Sequence, residues 1–173
     1  YQKTIEIDWQ KINLQINLLI MRNIFFTLFL SFSIYAQESK EYFVLLTSDP
    51  MSNPSAAMMS INTASEALNQ GHDVIFFAAG DGVKILMEDV ISNLHTVTSH
   101  GGNTDRISQM AKKLLIDFSE NGGIIHVSEG SFLTYGVNQQ NYKEILINIQ
   151  KINWSYPKEL IKESSSADIL FSY

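Results

Sequence analysis

Cysteine is absent from this sequence of 173 residues. The chain therefore cannot form disulfides, thiolate metal sites or a persulfide, and it has no thiol nucleophile. Basic residues are also few, because 12 Lys and Arg stand against 18 Asp and Glu and give a formal net charge of −6. An acidic chain without a Lys/Arg cluster repels a phosphate backbone, so we expect no nucleic-acid binding. The apolar fraction of 45% and the length suit one globular domain.

An export signal is predicted at residues 21–36. Met21-Arg22-Asn23 is a short positive start, and Ile24 to Tyr35 form a nearly unbroken apolar run before Ala36. This run is about a dozen residues long, whereas a membrane-spanning helix needs roughly 20. We therefore predict a signal peptide that is cleaved near Ala36 and releases a periplasmic or secreted protein. An uncleaved membrane anchor and a buried core segment remain as alternatives.

Residues 1–20 do not begin with Met, and they mix Asn and Gln with their apolar positions. We expect the natural start to be Met21 and the preceding segment to be non-native upstream sequence or disordered. The folded domain is then predicted over residues 37–173.

The domain opens with a strand–helix–strand pattern. Tyr42–Thr47 is a continuous apolar run, typical of a strand buried on both faces of a parallel sheet. Asn53-Pro54 supplies a helix N-cap and a first-turn proline, and Gly71 ends the helical spacing. Val74–Ala79 is the second buried strand. Such a unit is expected to pair its strands in parallel through a right-handed crossover.

The alternation of strands and helices continues to the end of the sequence. Further segments are a short helix through Val83, Ile85 and Leu86, a helix over 104–121, a strand over 124–127, a short helix over 132–135, a segment at 145–152 that is either strand or loop, a helix from Pro157, and a last strand over 167–172. This pattern predicts an α/β fold, a three-layer sandwich with a mostly parallel sheet of about five strands.

Several of these segments resemble, in order and spacing, the DsrE/DsrF-like family of sulfur-relay proteins. The resemblance rests on the first strand, the small-residue helix after it, and four joins: Gly71-His72-Asp73-Val74, Gly80-Asp81-Gly82-Val83, Gly122-Gly123, and Ser166–Phe171. It covers nearly all of 42–173 and implies a flavodoxin-like sheet and a homo-oligomer. Sulfur-carrying members use a cysteine just after the strand that corresponds to Ile124–Val127. This sequence has Ser128-Glu129 there, and a serine hydroxyl cannot hold a persulfide.

The candidate binding site lies in the loops that follow the strands. Ligands of open parallel sheets bind beyond the carboxyl ends of the strands, near a switch in strand order. The loops predicted there are Thr47–Asn53, Gly80–Gly82 and Ser128–Ser131. They offer the following polar side chains: Ser48, Asp49, Asn53, Asp81, Ser128, Glu129 and Ser131. These residues predict a small-ligand or partner site, although solvated loops are also polar without binding anything.

No cofactor is predicted. Gly80-Asp81-Gly82 lacks the third glycine of a dinucleotide fingerprint, since Ile85 stands in its place. His95 and His100 could join a carboxylate around zinc, but no third ligand is evident in the sequence. Of the other histidines, His72 is predicted to be structural and His126 to pack within its strand.

A hydrolase could be built from Ser128, His126 or His100, and Glu129, but the Gly-x-Ser-x-Gly elbow is missing. Trp154 and Tyr156 are predicted to form a packed corner or an oligomer contact.

Three function classes follow. The first is an exported, thiol-independent protein that forms a homo-oligomer and binds a small ligand or protein partner at the site near Ser48, Asp81 and Ser128. The second is an enzyme of unknown reaction that uses a carboxylate or a histidine-bound metal there. The third is an interaction module whose exposed helices bind a partner.

Overall fold

The computed structural model describes residues 9–32, 38–95 and 105–173. The chain divides into two compact units, Tyr1–Glu38 and Ser39–Tyr173. The first unit contains one helix, α1 (Trp9–Phe32), and the side chains described on it, those of residues 13–25, are all exposed. Within the described residues, no helix combines the length and hydropathy needed to cross a bilayer. The predicted cleavage position at Ala36 lies outside the described residues, so the signal peptide stays a prediction.

The second unit is built on a five-stranded sheet. Its strands are β1 (Glu41–Leu46), β2 (Asp73–Ala78), β3 (Ile124–Ser128), β4 (Asn153–Ser155) and β5 (Ile169–Ser172). The strand order is β4-β3-β2-β1-β5, and every neighbouring pair is parallel. The predicted α/β fold with a parallel sheet of about five strands is therefore confirmed.

Helices connect the strands. They are α2 (Pro54–Asn69), a 3₁₀ helix (Gly80–Leu86), α3 (Glu88–Ser92), α4 (Asp105–Glu120), α5 (Glu129–Thr134), α6 (Tyr142–Ile145) and α7 (Pro157–Ser166). The start of α2 follows the prediction, because Asn53 accepts a hydrogen bond from the Ala56 backbone N–H at 3.1 Å. The helices α3 and α6 are short and were not predicted.

The two faces of the sheet are covered unequally. On one face, alternate side chains of the central strands, including Val44, Phe76 and Val127, join a large core with α2 and α4. On the other face a smaller cluster of Phe43, Ile75 and Phe77 packs against α7. Because β1 and β2 bury side chains on both of their faces, their continuous apolar runs in the sequence are explained. The smaller cluster depends on a single ten-residue helix.

The region between α6 and α7 is mostly irregular and contains one short strand. Residues 145–152, predicted as strand or loop, contain the end of α6 and an irregular segment, and the strand β4 begins only at Asn153. Trp154, the middle residue of β4, is half-buried and packs against Phe132 and Tyr142 with ring centroids 5.6 and 5.5 Å away. The packing predicted for Trp154 is thus present, within an edge strand.

Candidate functional site

The carboxyl ends of β1, β2 and β3 lie side by side, because these three strands are neighbours in a parallel sheet. The 3₁₀ helix begins directly after β2 and passes close to the end of β1. A Cβ atom at Gly82 would lie 2.3 Å from the Leu46 carbonyl oxygen, so only glycine permits this approach. The Gly82 backbone N–H also donates to the Thr47 carbonyl at 3.1 Å. The close packing fixes where the next side chains of the 3₁₀ helix point.

Lys84 is the residue that this packing brings to the loop after β1. Its Nζ lies 2.5 Å from Oδ2 of Asp49, and the two side chains are only 18% and 23% exposed. Asp49 also accepts a hydrogen bond from the Met51 backbone N–H at 2.9 Å. The hydrogen bond with Lys84 lowers the pKa of Asp49 and raises the pKa of Lys84. Asp49 therefore lies in the site as an ion-paired carboxylate.

Asp81 is joined to the same group of side chains through Tyr135. The Tyr135 hydroxyl donates a short hydrogen bond to Oδ1 of Asp81, and this bond raises the pKa of the phenol. The Lys84 Nζ stands 5.3 Å from the centroid of the Tyr135 ring, within cation–π range. Asp49, Lys84, Tyr135 and Asp81 thus form one connected group across the ends of β1 and β2.

Ser128 lies at the end of β3, where it is the N-cap of α5. Its Oγ accepts from the Ser131 backbone N–H at 3.3 Å and from the Ser131 hydroxyl at 2.9 Å. The Ser131 Oγ in turn accepts the Gly80 backbone N–H at 2.9 Å. The two serines therefore link the end of β3 to the turn after β2, and the hydroxyl of Ser128 serves as a helix cap.

Glu129 forms the outer part of the same edge. Its Oε2 accepts from the side-chain amide of Gln139 at 3.1 Å. The Tyr156 hydroxyl donates a hydrogen bond to Glu129, which raises the pKa of Tyr156. Among the residues of this edge, three carboxylates (Asp49, Asp81 and Glu129) stand against the single ammonium of Lys84. The edge is consequently net acidic and rich in acceptors.

Two predicted site residues do not join this cluster. Asn53 uses its side chain to cap α2. Ser48 lies between β1 and β5, where its backbone N–H donates to the Tyr173 carbonyl at 3.3 Å. This position is the switch point of the sheet. The chain runs from β1 to β2 on one side of β1, whereas β5 lies on the other side of β1. The polar cluster is centred one strand away from the switch, over β1, β2 and β3.

Sequence reasoning missed Lys84 and Tyr135. The signal for Lys84 is present in the sequence, because it is the only basic residue of the 3₁₀ segment and interrupts the apolar positions Val83, Ile85 and Leu86. The signal for Tyr135 is weaker. Its role depends on the distance between α5 and the turn after β2, which only the folded chain reveals.

Among the described residues, the hydrolase alternative with His126 does not assemble, and its other candidate, His100, lies outside them. The Nδ1 atom of His126 hydrogen-bonds to Oγ of Ser155 at 2.8 Å, while Ser128 bonds to Ser131 and Glu129 to Gln139. Of the proposed zinc pair, His100 lies outside the described residues, and the ring of His95 hydrogen-bonds to the Asn93 carbonyl at 3.0 Å. Within residues 9–32, 38–95 and 105–173, no three potential metal ligands gather.

The fold and the polar edge define an α/β protein of the flavodoxin-like kind, with a parallel five-stranded sheet and acceptor-rich loops at its carboxyl ends. A family model, the DsrE/DsrF-like family, matches residues 40–173. The match covers most of the chain, so the protein belongs to the DsrE/DsrF-like family, as its resemblance suggested. Among curated proteins, none matches the chain by sequence.

Solved structures that are similar to this chain include the following two. The ychN protein from E. coli matches with a TM-score of 0.52 and 15% identity, over 78% of this chain and 99% of its own. A conserved protein of unknown function from Bacteroides thetaiotaomicron matches with a TM-score of 0.47 and 12% identity, over 78% of this chain and 95% of its own. At such identities the first similarity supports the fold alone.

Proposed function

We propose that this protein is an exported, thiol-independent DsrE/DsrF-like protein that binds a small polar ligand at the carboxyl edge of its sheet. It acts as a homo-oligomer and carries out no sulfur transfer of its own. The ligand presents hydrogen-bond donors, such as amino or hydroxyl groups, to the carboxylates of Asp81 and Glu129, beside the ion pair of Asp49 with Lys84.

The observation that carries this proposal is the environment of Ser128. The resemblance puts the family cysteine at this place, and here the side chain is a serine whose Oγ accepts two hydrogen bonds from Ser131. A serine hydroxyl needs an adjacent general base to act as a nucleophile. His126, the nearest histidine in sequence, is hydrogen-bonded to Ser155. The environment of Ser128 therefore favours a structural role for this serine within a binding edge rather than a role in covalent catalysis.

The charge of the edge supports the choice of ligand. Lys84 is already neutralised by Asp49 at 2.5 Å, whereas the hydrogen bonds that Asp81 and Glu129 receive from described residues come from the neutral donors Tyr135, Tyr156 and Gln139. A phosphate or carboxylate ligand would meet net repulsion here. A ligand with amino or hydroxyl donors can replace the neutral donors and gain charge-assisted hydrogen bonds.

The proposed oligomer is supported by apolar side chains on the outer strand. β5 pairs only with β1, and its Leu170 and Phe171 are 51% and 39% exposed. Leaving large apolar residues on an open sheet edge invites association with another chain. The proposed export is supported by the positive start at Met21-Arg22-Asn23 and the apolar run after it.

Native mass spectrometry of the full chain, recovered from an export compartment without chelators, tests the proposal. We expect a multimer, a mass that begins after Ala36, and a bound small molecule in stoichiometric amount. An Asp81→Asn variant should lose the bound mass and remain folded. Asp89→Asn, an exposed carboxylate on α3, is the matched control and should keep it.

A bare monomer would contradict both ligand binding and assembly. Loss of the bound mass in Asp89→Asn but not in Asp81→Asn would place the ligand elsewhere. An uncleaved chain in the membrane fraction would favour the N-terminal anchor over a cleaved signal.

A further inference from the structure

A cavity of about 420 Å³ opens on the face of the sheet that α7 covers. A helix is about 10 Å wide, whereas five strands spaced about 4.8 Å apart span roughly 20 Å. One helix therefore cannot cover this face. α7 contacts β1 and β4, and Ile124 at the start of β3 remains 44% exposed. The cavity is lined there by Ile75, Ile124 and His126, together with the Gly122-Gly123 turn. It lies away from the acidic edge, because Ile124 is the first residue of β3.

His126 supplies a fixed polar group to this cavity. Its ring stacks on Phe77, with centroids 5.7 Å apart and planes 17° from parallel, and its Nδ1 atom bonds to Ser155 at 2.8 Å. These two contacts hold the ring in one orientation. Burial lowers the pKa of His126 and so favours the neutral imidazole. The other ring nitrogen, Nε2, makes no hydrogen bond to the described residues and is left to a ligand.

Ser119 is a second, independent indication of a ligand. It lies in the last turn of α4, lines the cavity and is only 8% exposed. Its hydroxyl has no hydrogen-bond partner within the described part of the chain. A buried polar group left unpaired costs stability, and proteins rarely retain one without a reason. The hydroxyl oxygen is itself closed to solvent, so a rotation of this side chain toward the cavity would let a polar ligand atom pair with it.

The charges around the cavity are balanced. Lys151 and Glu163 both line it, and both act electrostatically on His126. Glu163 is paired with Lys162 at 2.7 Å, but the Lys162 side chain is 73% exposed. This ion pair therefore contributes little to stability, and a cationic group of a ligand can replace Lys162 as the partner of Glu163. One cation and one anion beside an apolar wall favour a ligand that also carries one charge of each sign.

We propose that this cavity binds a free α-amino acid as a zwitterion. The carboxylate of the ligand pairs with Lys151, its ammonium pairs with Glu163, and its side chain packs on the exposed surface of Ile124. The Ser119 hydroxyl and Nε2 of His126 form hydrogen bonds with the polar atoms of the ligand. The volume of the cavity lies within the range of small-molecule sites. The proposal is separate from ligand binding at the acidic edge.

Thermal unfolding and isothermal titration calorimetry of the full chain test this inference, with L-phenylalanine and L-leucine as probes. We expect one equivalent to bind and to raise Tm by about 10 °C at a hundredfold excess over Kd. N-acetyl-phenylalanine and phenylalanine amide each lack one of the two charges. Each should bind at least about tenfold more weakly than the free amino acid.

Two serine variants give a matched comparison. Ser119→Ala removes an unpaired buried hydroxyl, so it should raise the Tm of the ligand-free protein by about 2–4 °C and weaken amino-acid binding about 3- to 10-fold. Ser65→Ala removes a buried hydroxyl that likewise has no partner among the described residues; it lies in α2 and does not line the cavity. It should stabilise the protein similarly and leave binding unchanged. Asp81→Asn should also leave binding unchanged.

The inference is overturned if neither amino acid binds, or if the two charge-deleted derivatives bind as well as phenylalanine. It is also overturned if Ser119→Ala and Ser65→Ala affect binding equally. Loss of binding in Asp81→Asn would move the amino acid to the acidic edge and contradict the cavity as its site.

Discussion

Lys84 connects the ends of the two central strands, because its Nζ, on the 3₁₀ helix after β2, lies 2.5 Å from Oδ2 of Asp49 in the loop after β1. The two side chains are less than a quarter exposed, so water screens this pair less than it screens a surface ion pair. The same ammonium stands over the ring of Tyr135, which binds Asp81. The geometry of the acidic edge thus depends on one cation.

Lys84→Met should lower the free energy of unfolding by about 1 kcal/mol, because it leaves Asp49 half-buried without its partner. Urea denaturation measures this loss. Lys113→Met is the matched control. It removes the exposed i,i+4 pair of Lys113 with Asp117 and should cost no more than about 0.5 kcal/mol. Equal losses in the two variants would show that the Lys84 pair behaves as an ordinary surface pair.

Gly82→Ala should destabilise the protein by at least about 2 kcal/mol, because the new Cβ would lie 2.3 Å from the Leu46 carbonyl oxygen and the backbone would have to move. Gly130→Ala is the matched control within α5, where a Cβ meets nothing within 4 Å. It should be neutral or stabilise the protein by about 0.5–1 kcal/mol. Thermal unfolding followed by circular dichroism compares the two. A tolerated Gly82→Ala would disprove the close approach of the 3₁₀ helix to β1.

Ser128→Ala should cost about 1 kcal/mol, because it removes the N-cap of α5 and the bond to the Ser131 hydroxyl. Ser128→Thr retains a capping oxygen and should stay within about 0.5 kcal/mol of the natural protein. Chemical denaturation of the three proteins gives the comparison. If Ala and Thr are equally well tolerated, the hydroxyl of Ser128 is free for another role, and the structural assignment fails.

The stability of the protein should fall as the pH drops below about 6.5, because burial lowers the pKa of His126 in the folded state. Below its ordinary pKa of 6.5 the unfolded chain binds a proton that the folded chain resists, so protonation favours unfolding. The charged groups that act on this ring are Glu159, Lys162 and Glu163 of α7, and Lys151. Their contributions are mixed in sign, so burial dominates.

Urea denaturation between pH 5 and 8 checks this dependence (the range is chosen about the ordinary His pKa, near 6.5). His126→Asn should reduce the slope of stability against pH. His95→Asn, at an exposed histidine, should retain it. An unchanged slope in His126→Asn would assign the dependence to other groups.

The central part of the fold could be predicted from sequence because its signals are local. Continuous apolar runs identify β1 and β2, and Asn53-Pro54 starts α2 at the observed residue. β4 was not predicted because three residues are too few to show the alternation of a strand. Its Trp154 is also held by contacts with α5 and α6, which lie elsewhere in the sequence and leave no local pattern. The position of β5 beside β1 depends on the crossover through α7, which no local pattern specifies.

The candidate site was predictable only in part, for a similar reason. A loop that follows a buried strand can be identified in the sequence, so Asp49, Asp81 and Ser128 could be predicted as candidate site residues. Which of them meet depends on contacts between segments distant in the chain. Lys84 reaches Asp49 across 35 positions, and Ser131 reaches Gly80 across 51. Asn53 has a polar side chain that could bind a ligand, but this side chain caps its own helix, α2.

The pairing of β1 with β5 also has a consequence for how the chain folds. Glu41 at the start of β1 bonds to Asp168, 127 positions later, and β5 then pairs along β1. Contacts of such sequence separation close a long loop and slow folding. Until residues 169–172 have been synthesised, β1 presents an unpaired apolar edge to other chains. We therefore expect newly made molecules to be prone to aggregate until β5 has emerged from the ribosome and paired with β1.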